Sequence, residues 1–473
     1  MGANVRNNCK FVPPDGGWGY VICIAISIIL VVLTGFVNCF GMIYKERFAE
    51  LNMGSTSVTL LNSLGVMCVA ISGFSTGMLL NYLTLRKLGL LAAVLYSAGS
   101  FGTAMCNSIA MFFIFQGIVQ NLGQGLMLNL SYTVLTQYFV QKRLFVISIA
   151  QTIVALATFI TPILVKWVLD RYGSLWSLLL LSAVSLHNFV AVILMQPVAW
   201  HLKRVQVPEN KENELKPFNR DDKHVCSRQV GSASGDSDRL IAQRKNAENS
   251  DVERRRNIIT HFVDKELYTN FILSNACLGV SLCMFSDIIF LSMLPQALYF
   301  MGWNKALVAW ALRLFGIGNI ITRMLFVLCS KWLSKVGTHE IYVVGTLLAC
   351  LSRLGMLWSD NRTIMLSFIA IIGISRCSIM VLHPLVIADA MPPEHFTNAM
   401  GLSMLSFGII NVILAPTMGA IRELTDSYAT VFYILTSCFA IVVIFWTIEL
   451  VYKKNAHKRQ PKRYIPEKLS RSQ

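Results

Sequence analysis

Arg323 follows Asn319 by four residues in a stretch, 312–329, that is apolar almost throughout apart from Arg313. A guanidinium does not deprotonate in proteins. Holding one at membrane depth is costly, so an arginine there is a functional-site hypothesis by default. Residues four apart share a helical face, which brings the Asn319 carboxamide within reach of the guanidinium. The chemistry on offer is recognition of an anionic solute; the alternative is an arginine that snorkels to the headgroups. Arg376, in Ile372-Gly373-Ile374-Ser375-Arg376, lies near the middle of another apolar run. His383, seven residues on, shares its face, and Gly373 leaves room for close approach. Arg376 would either add positive charge to the cavity that Arg323 lines or pair with backbone carbonyls as a structural cation. Asp287 and Arg313 flank a short loop and, at ~1.5 Å of rise per residue, sit at similar depths. They are expected to form a structural or gating ion pair, with Asp287 as a relocated proton or cation site the sharper alternative. Arg353 and Lys166 fall near the outer ends of their runs and are expected to snorkel. The first half offers amides and hydroxyls instead of charge: Asn62, Asn121, Gln124, Asn129, Gln151 and Thr152. These are expected to hydrogen-bond between helices or to line a path.

These residues need elements that hold them at depth. The 473 residues are 55% hydrophobic and 14% charged, with mean hydropathy +0.57; a soluble domain carries about a quarter charged residues. Apolar runs of about 20 residues, enough to cross a ~30 Å hydrocarbon core, recur near 18–44, 60–83, 88–106, 111–138, 145–169 and 175–196. A second set lies near 271–293, 306–329, 341–358, 364–391, 400–421 and 431–451. The expectation is an all-α polytopic membrane protein with twelve transmembrane helices in two six-helix bundles. The predicted organisation is a cytosolic N-terminus (1–16), a first bundle (17–196), a largely disordered cytosolic loop (197–268), a second bundle (269–452) and a basic cytosolic tail (453–473).

Orientation follows from the Lys/Arg bias of short loops. Arg86, Lys87, Lys142, Arg143, the central segment and the tail all fall on one side, which should be cytosolic with both termini. Much of the +16 net charge is then a topology signal and an attraction to the lipid bilayer, not a nucleic-acid footprint. The first apolar run is too long for a signal-peptide core and is preceded by Pro13-Pro14, so no cleavable signal is expected. The 12 cysteines show no paired metal spacing, and no cofactor or metal is expected. No nucleophile–base motif or phosphate-binding loop stands out, which disfavours an enzyme.

Pro13-Pro14-Asp15-Gly16-Gly17-Trp18-Gly19-Tyr20 resembles the entry motif of the monocarboxylate transporter family, within the major facilitator superfamily, almost letter for letter. Tyr138-Phe139 with Lys142-Arg143 resembles the family's motif before the fifth span. There, Phe145, Val146, Ser148 and Ile153 replace the usual small residues. Leu294-Pro295-Gln296 and the stretch 396–402 are further echoes. The resemblance covers nearly the whole chain except the central loop and tail, and it implies two six-helix halves around a midplane site with alternating access.

In the proton-coupled members, the resemblance implies three charged positions: a lysine in the first span, an aspartate in the eighth, and an arginine four residues later. Here the arginine stands as Arg323, while the aspartate position reads Asn319 and the lysine position Asn38. An amide does not titrate near neutral pH, so coupling to a proton through the usual site is not expected. Asn38 is either a substrate contact or a satisfied interhelical amide. Arg376 falls where the family often has an aromatic cavity-lining residue. The reading is a plasma-membrane carrier, facilitative or secondary-active, of a small organic anion or carboxylate-bearing solute of the monocarboxylate or aromatic amino acid class. Its alternatives are a carrier of a neutral or zwitterionic metabolite and a non-transporting sensor or interaction protein of the same fold. A single-span accessory glycoprotein, frequent in the family, is left open as a partner.

Overall fold

A computed structural model describes residues 9–36, 39–206 and 265–459. Asn38, most of the 197–268 segment and the tail beyond 459 lie outside the described residues. A strand, β1 (Cys9–Val12), leads into α1 (Trp18–Thr34), α2 (Phe40–Glu50), α3 (Ser55–Leu80), α4 (Leu85–Ala104), α5 (Ile109–Tyr138), α6 (Arg143–Val184) and α7 (His187–Leu194). Strand β2 (Lys203–Gln206) then pairs antiparallel with β1, Cys9 opposite Gln206 and Val12 opposite Lys203. The later helices are α8 (Lys265–Ile272), α9 (Asn275–Phe300), α10 (Lys305–Leu328), α11 (Ser330–Val336), α12 (Thr338–Trp358), α13 (Arg362–Ala390), α14 (Phe396–Thr425) and α15 (Tyr428–Arg459).

Among the described residues, nine helical runs are long and apolar enough to cross a membrane. One of them, Arg143–Leu194, is 52 residues long and consists of two legs that part at Gly173, where φ is 74°. Taking the legs separately and adding Trp18–Thr34 and Leu85–Ala104 reaches the twelve segments that the apolar runs suggest. The first run differs from expectation in one respect. It is not a single span over 18–44, because α1 ends at Thr34 and α2, which carries Lys45, Glu46, Arg47 and Glu50, starts anew. The helices turn apolar side chains outward, as at Ile163, Leu328, Phe445 and Ile448, and bury Arg353 completely. That inversion suits hydrocarbon as the surrounding solvent.

The entry motif and the motif before the fifth span meet as one joint. The Asp15 carboxylate Oδ1 accepts hydrogen bonds from the backbone N–H groups of Val140 (2.8 Å) and Gln141 (3.1 Å), and the Asp15 N–H donates to the Tyr138 carbonyl at 3.3 Å. Lys142 Nζ lies 3.4 Å from the Tyr20 hydroxyl. Gly16 and Gly17 lead into α1. A Cβ on Gly19 would stand 2.7 Å from the Phe139 ring, so only glycine lets that buried ring seat against α1. Trp18 Nε1 donates to the Leu194 carbonyl at 3.4 Å, and its ring stacks on His201 with 5.8 Å between centroids. The start of α1 is thus tied to the end of α5 and to the end of α7.

Packing divides the described residues into two units. The first takes everything up to Ser274 together with Ile387–Val412; the second takes Asn275–Val386 and everything from Ile413 onward. Helices α13 and α14 therefore each contribute to both. The core of the first unit includes Ile22, Ala25, Ile26, Ala92, Tyr138 and Phe139; that of the second includes Phe285, Phe290, Tyr342, Phe432, Phe439 and Trp446.

Candidate functional site

Among the described residues, the charges buried at depth lie in the second unit. Helix α10 begins at a cap in which Asn304 Oδ1 accepts from the Leu307 N–H at 2.8 Å. About five turns along it, Arg323 donates from Nε to Asn319 Oδ1 at 3.2 Å. The helical period alone brings these two together. Arg323 is 6% exposed, so its head stays inside the bundle and does not run out along the helix to a surface. The snorkelling alternative fails on that burial.

Asp287 does not pair with Arg313, as their depths suggest it should. Its Oδ1 accepts from Arg353 Nη2 at 3.0 Å, and its Oδ2 lies 2.9 Å from Arg376 Nε. The physical reason is orientation. Asp287 is 2% exposed on the inner face of α9, whereas Arg313 is exposed on α10 and lies over Trp310 of its own helix, 5.6 Å from the ring centroid. Equal depth brings two residues level, but only a shared face brings them into contact.

Arg353 is a second correction. It does not snorkel; its side chain is wholly buried. Its guanidinium lies 4.2 Å from the ring centroids of both Phe290 and Phe439. Nη1 donates to the Ser286 hydroxyl at 3.0 Å, which in turn donates to the Leu435 carbonyl at 2.7 Å. A buried charge is tolerable only when paired and hydrogen-bonded, and cation–π contact adds to the pairing where water is excluded. Arg353 has all three forms of support. Sequence reasoning missed it because its partners come from α9 and α15, far along the chain. The one available signal was the scarcity of acids at depth: Asp287 had to serve some arginine.

Arg376 occupies the other side of the carboxylate. Its side chain is 20% exposed and lies over Phe315 of α10, 5.6 Å from the centroid. It pairs with a carboxylate and not with backbone carbonyls, yet keeps part of its surface open. His383 is partly buried two turns further along α13, one residue before Pro384. Three guanidiniums (Arg323, Arg353 and Arg376) and one carboxylate, Asp287, thus lie inside the second unit.

The first unit is organised by amides. Asn129 donates to the Gly73 carbonyl at 2.7 Å and to the Thr397 carbonyl at 3.1 Å. Gln151 donates to the Tyr132 hydroxyl at 2.6 Å, Asn121 to the Gln116 carbonyl at 2.7 Å and Gln124 to the Leu33 carbonyl at 3.4 Å. Thr152 bonds within its own helix to the Ser148 carbonyl. Asn62 and Lys166 are exposed.

Comparison with known proteins agrees with this architecture. The sequence profile of the Major Facilitator Superfamily matches residues 24–326 and 276–471. Mouse monocarboxylate transporter 6 is 23% identical over 421 residues, covering 89% of this chain and 84% of its own. Bovine monocarboxylate transporter 1 is 21% identical over 443 residues, covering 92% and 84%. Among solved structures, the transporter FucP in its outward conformation superposes with a TM-score of 0.61 at 16% identity, covering 91% of this chain and 99% of FucP. The proton:xylose symporter XylE does so with 0.61 at 13% identity, covering 90% and 95%. The chain belongs to the Major Facilitator Superfamily, as a divergent relative of the monocarboxylate transporters.

Proposed function

We propose that this transporter carries a small organic anion or a carboxylate-bearing solute of the monocarboxylate or aromatic amino acid class, by alternating access. The observation that carries the reading is the buried Arg323–Asn319 pair. A guanidinium inside the bundle presents a fixed positive charge in the planar fork that suits a carboxylate in a charge-assisted and bidentate geometry. Arg376 supports it, since its side chain is partly open and Asp287 is shared between it and Arg353. The names of the relatives support it as well.

Coupling to protons through the site usual in the family is not part of the proposal. Asn319 is an amide, and Asp287 is ion-paired with two guanidiniums. The carrier is read as facilitative, or driven by a gradient other than protons. Lys/Arg-rich loops on one side support cytosolic termini, and a plasma-membrane location is part of the proposal. The test is uptake of a labelled panel of monocarboxylates, aromatic amino acids and neutral analogues into cells expressing the chain, at two external pH values. Saturable uptake confined to carboxylate-bearing members is the expected outcome. Uptake of the neutral analogues alone would overturn it.

A further inference from the structure

The first unit holds a pocket of about 100 Å³. A single water needs roughly 10–15 Å³, so the space admits a solute of several heavy atoms. Gln116, Gln120 and Gln124 line it from α5, and the hydroxyls of Tyr44, Tyr96 and Ser100 face them from other helices. Leu33, Phe36 and Leu181 supply apolar wall. No lining residue carries a formal charge.

The glutamines are held in place by local structure. Residues Phe113–Val119 form a π-helical turn, a rare geometry found mostly at functional sites. The Asn121 side chain donates to the carbonyls of Gln116 (2.7 Å) and Gly117 (3.2 Å), supporting backbone groups in that wide turn. Gly99 of α4 faces the backbone N–H of Gln120, and a Cβ there would stand 2.5 Å from that nitrogen. The two helices therefore touch at this point. Most polar groups around the cavity are already used. Tyr44 donates to Gln116 Oε1 at 3.1 Å, Tyr96 to the Val32 carbonyl at 3.1 Å, and Ser100 to the Ser182 hydroxyl at 3.1 Å. One is not: Gln120 Oε1 is buried and accepts no hydrogen bond. An unsatisfied buried acceptor in a native structure calls for a partner.

We propose that this cavity is a binding site for a small uncharged solute bearing a hydroxyl or amide N–H, whose donor bonds to Gln120 Oε1. Carboxamides and hydroxyls offer both donors and acceptors, which suits an alcohol or amide. A carboxylate would lose its hydration here with no cation to replace it, a penalty that excludes bare anions. No arginine lines the pocket, and the proposal does not rest on the function proposed above.

The test compares lactamide with lactate, an isosteric pair that differs in charge, by equilibrium binding of the labelled compounds to the full-length chain in nanodiscs. Lactamide is expected to bind saturably. Gln120→Leu, which keeps the side-chain bulk and removes the acceptor, is expected to weaken it roughly three- to tenfold. Should Gln120→Leu not fold, Gln120→Asn retracts the acceptor while keeping an amide, and a weakening by about threefold is expected. Lactate is the separate readout for the proposed anion site and should respond to Arg323→Gln. If lactate fails to bind while lactamide binding depends on Gln120, the anion reading falls and this site stands. The absence of saturable lactamide binding, as for a cavity filled by water alone, overturns it. So does lactamide binding that Arg323→Gln abolishes and the Gln120 variants leave intact.

Discussion

Arg323 and Asp287 are both buried ions of the second unit, and they make opposite demands on mutation. Arg323 is the group proposed to meet the substrate carboxylate, so its loss should be felt in substrate affinity. Losing a charge-assisted contact costs about 1.5–3 kcal/mol, or roughly 10- to 100-fold. Arg323→Gln is expected to lower the affinity of carboxylate uptake by that factor while the protein still reaches the cell surface. Unchanged uptake by a surface-localised variant would remove Arg323 from the site. Asp287 is instead a matter of folding. Asp287→Asn strands the enclosed Arg353 guanidinium between Phe290 and Phe439, and breaking a buried pair from one side costs about 3–5 kcal/mol. Poor surface expression is expected, with partial recovery when Arg353→Met is added. Arg313→Gln, on an exposed face, should be nearly silent and additive with Asp287→Asn. Recovery of Asp287→Asn by Arg313→Gln in a double-mutant cycle would contradict the geometry.

At the scale of elements, the joint between α1 and the α5–α6 turn explains why two separated motif fragments occur together. Asp15 supplies acceptors to the turn, and Gly19 supplies the space that Phe139 fills. Overpacking a filled contact costs about 1–3 kcal/mol. Gly19→Val should therefore lower the thermal midpoint of the purified protein, and Phe139→Ala in the same chain should return part of the loss. If the double variant melts below both singles, the two residues are not in the size relation described. Both motifs were legible as strings of residues. That they form one contact was not, because Asp15 and Val140 are separated by five helices whose lateral order no local pattern specifies.

For the whole molecule, the prediction concerns coupling. A proton-driven cycle needs a group that changes charge as the cavity opens to each side. Asn319 cannot, the guanidiniums remain charged, and Asp287 is committed to Arg353 and Arg376. Lowering external pH from about 7.5 to about 6, a window spanning the unperturbed histidine range, should accelerate uptake little. Concentrative uptake on acidification would defeat this reading and direct attention to His383. Much of the molecule was open to reading without coordinates, for a physical reason. Span length and the Asn319–Arg323 contact depend on helical rise and period, which are properties of a local stretch. Those features needed no knowledge of neighbours. The partners of Asp287 did, because pairing across 66 residues to Arg353 depends on which helices lie side by side and how each is rotated. Depth along the helix axis is written in the order of residues; the face a helix turns to its neighbour is decided by packing of the whole bundle. The uncharged cavity beneath Gln120 belongs to the same class. Its glutamines could be read from the chain, but the space beside them exists only once five helices have packed around it.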